Sequence, residues 1–154
     1  MALVQVRVGS LGKDRNKDIP VVLLTEMEGE RTLPIWIGPA EASAIAVKLG
    51  EMDFARPLTH DLLASAIREC GGKVERAVVT RVAEHTYFAE LHVDAPSGRI
   101  VLDSRPSDAI AVALRSESGI FVEEAVFEAV AAVMPKPGDP EAPEVPDDPA
   151  EPPK

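Results

Sequence analysis

The segment Asp103-Ser104-Arg105-Pro106-Ser107-Asp108 places two carboxylates, two hydroxyls and a guanidinium within six residues. Such a cluster suits two jobs. The acids can hold a divalent cation, Mg²⁺ or Mn²⁺, of the kind that takes oxygen ligands and keeps several waters. Arg105 can grip a phosphate through its planar fork. A second segment, Arg56-Pro57-Leu58-Thr59-His60-Asp61, sets a histidine beside a carboxylate at the mouth of a helix, a pairing able to act as general acid or base near neutral pH. Glu41 stands 67 residues before Asp108, in a matching Pro-x-acid-Ala context. Each feature also has a local explanation. Glu41, Asp61 and Asp108 fall in first helical turns, where the helix dipole favours an acid, and Asp108 can cap its helix and pair with Arg105. Capping explains the single acids better than it explains the density of polar groups, and polar loops on a rigid scaffold tend to carry sites.

Other chemistry is missing from the sequence. It has no phosphate-binding glycine loop, no paired histidines at metal-helix spacing, no cysteine cluster and no serine between glycines. His85 falls at an expected hairpin turn, solvated. His92 alternates with the polar face of its strand and is expected to be exposed.

The elements that must position these groups follow from periodicity. Val4, Val6 and Val8 alternate with polar residues as a half-buried strand, and Gly9 to Asp18 reads as a polar connection. Ile19 to Leu24 is a continuous apolar run, as in a strand buried on both faces. Arg31 to Ile37 is a third strand, which Pro34 places at an edge or a bulge. Gly38-Pro39-Ala40-Glu41 opens a helix, with glycine at the N-cap and proline at the first helical position. Its continuation, Ala42 to Leu49, is expected to be largely buried, and Gly50 ends it. Thr59 can cap a second helix with Leu62, Leu63, Ala66, Ile67 and Cys70 on one face. Strands follow at Val74 to Val82, Tyr87 to Asp94 and Arg99 to Asp103. Pro106-Ser107-Asp108 opens another alanine-rich helix, and a short strand at Ile120 to Val122 and an amphipathic helix close the body. Each half thus reads strand, strand, strand, proline, acid, helix. A duplicated β-β-β-α unit is expected, giving an α+β fold with helices packed on a mixed sheet, open or barrel-like.

Of 154 residues, 26 are acidic and 16 basic, for a net charge of −10. Residues 135–154 hold eight of the 14 prolines with six acids and two lysines. Six of these prolines recur every third residue, which lines one face of a polyproline II rod. The expected organisation is one domain over 1–134 and a disordered acidic, proline-rich tail over 135–154, a solvating tether or a ligand for an aromatic-grooved partner. Cys70, the single cysteine, excludes a disulfide scaffold. No apolar run reaches the roughly 18 residues of a membrane helix, and no signal peptide is visible, so a cytoplasmic protein with no membrane association is the expectation.

Leu33-Pro34-Ile35-Trp36-Ile37-Gly38 with Glu41, Arg56-Pro57-Leu58-Thr59-His60-Asp61, and Asp103-Ser104-Arg105-Pro106-Ser107-Asp108-Ala109-Ile110 together resemble the bifunctional nuclease domain family, from about Val4 to Met134. The resemblance implies a nuclease acting on both DNA and RNA, of a family whose bacterial members look like small cytosolic proteins. The matching positions are Glu41, His60, Asp61, Asp103, Arg105, Ser107 and Asp108. Ala55 stands where a proline is frequent. In this reading Asp103, Asp108 and Glu41 bind a divalent cation whose water attacks phosphorus. His60, steadied by Asp61, shuttles a proton, while Arg56, Arg105, Ser104 and Ser107 hold substrate. The body's charge of −6 and its few aromatics run against a nucleic-acid surface, although bound cations invert the local field. The competing expectation is a non-catalytic binding or regulatory module, for which a homodimer and a partner for the tail are natural arrangements.

Overall fold

A computed structural model of the chain describes residues 2–133. The proline-rich tail, and any partner it has, lie outside the described residues. Seven strands form one mixed sheet in the order β3-β2-β1-β7-β4-β5-β6. In chain order these are β1 (Leu3–Asp14), β2 (Ile19–Glu26), β3 (Thr32–Trp36), β4 (Lys73–Ala83), β5 (Thr86–Ala95), β6 (Gly98–Ser104) and β7 (Gly119–Glu123). The helices are α1 (Pro39–Leu49), α2 (Thr59–Glu69), α3 (Pro106–Arg115) and α4 (Glu124–Val133). The fold is α+β, and none of its described helices is long and apolar enough to cross a membrane.

The duplication is visible in the pairing. β1-β2-β3 and β4-β5-β6 are two antiparallel meanders, each followed by a helix that begins with proline. β7 joins them, antiparallel to β1 and parallel to β4. The sheet stays open, with β3 and β6 as its edges, yet it curls strongly. Tyr87 on β5 donates its hydroxyl hydrogen bond to the Pro34 carbonyl on β3, at 3.0 Å. Burial pushes that phenol up to about 12, because the surroundings disfavour phenolate.

One face of the sheet carries the core. Val22, Leu24, Leu33, Ile35, Val79, Leu91, Val93, Ile120 and Val122 pack under Ile45 of α1, Ile110 and Val112 of α3, and Val126 of α4. α3 is the most deeply set helix, burying every residue from Pro106 to Val112 except Asp108, along with Ala113. This reflects its small side chains, which let backbone approach sheet.

Several expectations need correction. The polar stretch after Gly9 continues β1 as far as Asp14 instead of forming a connection. A bulge between Val8 and Ser10 absorbs the break in alternation, and a Cβ at Gly9 would collide with the Thr25 side chain. Buried Asp14 closes this hairpin by accepting hydrogen bonds from Trp36 Nε1 at 2.8 Å and from the Asn16 N–H at 2.9 Å. Helix α1 buries only Ala44 and Ile45, and α2 buries none of its residues. His85 is exposed as expected, in a two-residue turn where it and Glu84 both take positive φ, the geometry that matches strand twist. His92 is buried, not exposed. Its Nε2 meets Glu90 at 3.0 Å, and it lies in register between Arg76 and Val101.

Candidate functional site

The proline-first helices α1 and α3 point their N-termini toward one corner, and α2 closes it. Between them lies a cavity of about 850 Å³. Glu41, His60, Arg105 and Asp108 line it together with an apolar wall of Ala40, Ala44, Val47, Pro57, Leu58 and Leu63.

Neither Glu41 nor Asp108 caps its helix, since no side-chain cap bond exists at either start. Both turn instead to Arg105, the residue immediately before α3. Its Nη1 lies 3.0 Å from Glu41 Oε1, and its Nε donates to Asp108 Oδ2 at 2.8 Å. The two repeat-related acids thus approach one another, with a guanidinium between them. Gly38 makes room for this, as a Cβ there would collide with the Glu41 carboxylate.

Asp108 has a second partner. His60 Nε2 lies 2.8 Å from Asp108 Oδ1. An ionised carboxylate only accepts, so Nε2 carries the proton and Nδ1 is the imidazole's basic nitrogen. Burial pushes the Asp108 carboxyl up, but the hydrogen bonds and charges of His60 and Arg105 outweigh it and hold the group below the ordinary carboxylate value. Asp108 is thus ionised at neutral pH, as this tautomer requires.

The histidine expected to lean on its neighbour Asp61 therefore leans on Asp108. Asp61 serves the scaffold. Its Oδ2 accepts from the Leu58 backbone N–H at 2.9 Å, satisfying the start of α2, where Leu58 and not Thr59 occupies the cap position. Its Oδ1 accepts from Arg115 Nε at 2.6 Å. The Leu58 bond, working against partial burial and aided by Arg115, lowers the Asp61 carboxyl. Arg115 was not legible from the sequence as a site residue. Its side chain is buried, and it also donates to the carbonyls of Ala111 at 3.0 Å and Ala44 at 3.1 Å. One guanidinium thus ties α1, α2 and α3 around the cavity. A basic residue in the last turn of an alanine helix was the only signal, and the dipole explains that without any site.

The remaining candidates are carried elsewhere. Asp103 lies on β6 opposite Glu90, on the sheet face turned away from the core, because Leu102 beside it pairs with buried Leu91. Strand alternation alone separates Asp103 from Asp108. Ser104 donates to its neighbour Arg105's carbonyl at 2.8 Å, Ser107 is buried under the start of α3, and Arg56 is exposed on the loop before α2.

The donor set does not fit a resident divalent cation. Glu41 and Asp108 are both engaged by Arg105, and among the described residues no three His, Cys, Asp or Glu side chains gather as a metal cluster.

Residues 22–135 match the bifunctional nuclease domain. The chain belongs to the bifunctional nuclease domain family. Two uncharacterized proteins of Mycobacterium tuberculosis, one from each of two strains, are similar to it. Each is 39% identical over 138 residues, which cover 90% of this chain and 82% of the relative. Glu41, His60, Arg105 and Asp108 all lie within the matched span, and the repeat-related starts of α1 and α3 supply the two acids of the corner.

Proposed function

We propose that this bifunctional nuclease domain hydrolyses phosphodiester bonds of DNA and RNA in the cavity around His60. The observation that supports this is the His60–Asp108–Arg105 arrangement at the mouth of a cavity with an apolar wall. Asp108 orients the imidazole, and Nδ1 takes a proton from water. The water oxygen forms a bond to phosphorus, the ester P–O bond breaks, and the leaving alkoxide takes a proton from solvent. Arg105 offsets the charge that grows on the phosphoryl oxygens. The apolar wall accepts a sugar or base face. Arg56, at the entrance loop, supplies charge to the flanking phosphates.

No step in this reading passes through a bound metal. The test is turnover of single-stranded DNA and RNA by the purified full chain, in EDTA and in added Mg²⁺ or Mn²⁺. Equal turnover in both supports these roles for His60, Asp108 and Arg105. A strict need for the cation would mean that Glu41 and Asp108 exchange Arg105 for a metal, and would overturn the metal-free assignment.

A second reading rests on charge. Two carboxylates face one guanidinium at the corner, which disfavours an anionic ligand. A non-catalytic module that binds a neutral or cationic ligand against the apolar wall accounts for this. Saturable ligand binding without turnover of either nucleic acid would favour it.

A further inference from the structure

The corner around Asp108 cannot hold a polyanion by charge alone. Glu41 and Asp108 outweigh Arg105 there, whereas a nucleic-acid strand is bound chiefly through neutralisation of its phosphates. The cations have to come from outside the cavity, and the densest source in the chain is the tip of the β1–β2 hairpin. Lys13, Arg15 and Lys17 fall within five residues, and no other stretch of five holds more than two basic side chains.

All three bases are exposed. The acid among them is turned inward. Asp14 is 1% exposed and is taken up by Trp36 Nε1 and the Asn16 N–H. Asp18 meets Lys13 at 3.4 Å, but both of these side chains are largely exposed, and water and salt weaken such a pair. The tip thus presents its cations outward and buries the carboxylate that lies between them.

Trp36, the chain's single tryptophan, adds a ring to this surface. Asp14 fixes the indole through Nε1, and Lys17 Nζ lies over the ring, 5.2 Å from its centroid. The indole is half-buried, and the face reached by an ammonium from an exposed turn is a face that a base can take. Positive charge beside an aromatic ring is how single strands are held without regard to sequence, since every base has a π-face.

The tip also stands beside the cavity. The Ile37 N–H donates to the Pro20 carbonyl at 3.0 Å, which ties the second strand of the hairpin to the residue leading into α1. Trp36 precedes the cavity residue Ala40 by four positions, so their Cα atoms are at most about 14 Å apart.

We infer that the β1–β2 tip is a strand-holding subsite for single-stranded nucleic acid, an assignment that takes its ligand from the nuclease reading above. Lys13, Arg15 and Lys17 take phosphates of the strand. One base stacks on Trp36 in place of the Lys17 ammonium, which moves to a phosphate. Bond breaking stays at the corner, and the tip supplies the affinity that the corner's two acids oppose.

Binding and cleavage are measured separately on the full chain. A labelled single strand of about 12 nucleotides, as DNA and as RNA, is titrated by fluorescence anisotropy against His60→Ala over a range of salt concentrations, so that the strand stays intact. Adding Arg15→Ala and Lys17→Ala is expected to weaken binding about tenfold. The same change is expected to flatten the slope of log K against log salt by about 1.4, for two lost phosphate contacts on a single strand. Trp36 emission is expected to fall as the strand saturates His60→Ala. Circular dichroism melting shows whether each variant is folded. An unchanged salt slope in the folded Arg15→Ala and Lys17→Ala chain overturns the proposal. So does a Trp36 emission that the bound strand leaves unaltered, or a chain that binds neither strand. Cleavage of the same strands by the wild-type chain decides the nuclease reading by itself. A strand that is bound through the tip and never cut supports the subsite and removes the catalytic roles from the corner.

Discussion

The starts of α1 and α3 are the same device used twice, and only one became the centre of the corner. Both follow the third strand of a meander, begin with proline and carry an acid in the first turn. At α1 the residue before the proline is Gly38, whose missing side chain lets Glu41 fold back. At α3 the same place is held by Arg105, which reaches both acids. His60 completes the second start and not the first, since α2 follows α1 in the chain and packs its N-terminus on Asp108. The lesson is that a duplicated helix start supplies charge, and the asymmetric insertion of α2 turns that charge into a candidate acid–base pair.

Breaking the histidine side of this asymmetry is expected to have the largest effect. His60→Ala removes the base, with a loss of about 10³-fold in kcat for single-stranded DNA or RNA, in line with general-base contributions. Asp108→Asn keeps the shape but no longer holds Nε2 protonated, and a loss of about 10²-fold or more is expected. Steady-state hydrolysis assays read both. Arg115→Met attacks the tie that holds the three helices. It removes three hydrogen bonds and takes the buried guanidinium away from the Asp61 carboxylate, so a stability loss of about 3 kcal/mol is expected in urea titration. Arg105→Lys keeps the charge but loses the fork between Glu41 and Asp108. It is expected to raise KM about tenfold with a smaller change in kcat.

Two smaller effects sharpen the comparison. Gly38→Ala forces the Glu41 carboxylate aside and is expected to change KM a few-fold while leaving the fold intact, because the φ of −74° suits alanine. The acid side of the stability curve reports Asp61. Its folded pKa lies below the ordinary 3.8, so its contribution is present above that value and is lost as pH falls through the folded value. Asp61→Asn is therefore expected to flatten the fall in stability below about pH 4, as read by melting temperature against pH.

Most elements could be read from the sequence because their signals are local. Proline at the first helical turn located α1 and α3, alternation located β4 and β5, and Pro34 marked β3 as an edge strand. β1 ran longer than expected because buried Asp14, held by Trp36 from 22 residues away, makes a polar stretch worth pairing. The site was half legible for the same reason. Glu41, His60, Arg105 and Asp108 stood out as polar residues at helix starts. Their partners did not, since the His60–Asp108 contact spans 48 residues and the Arg115–Asp61 contact 54. Neighbours in sequence misled: Asp61 beside His60 faces Arg115, and Asp103 beside Ser104 faces away with its strand.

The central claim is that His60 acts as a base oriented by Asp108 at the α3 start. The most direct measurement is the single-turnover cleavage rate of one labelled single-stranded RNA and one DNA in EDTA, comparing the wild-type chain with His60→Ala and Asp108→Asn. Cleavage of both nucleic acids by the wild-type chain is predicted, with a fall of about two to three orders of magnitude in each variant. A cleavage rate left at the wild-type level in either folded variant would contradict it.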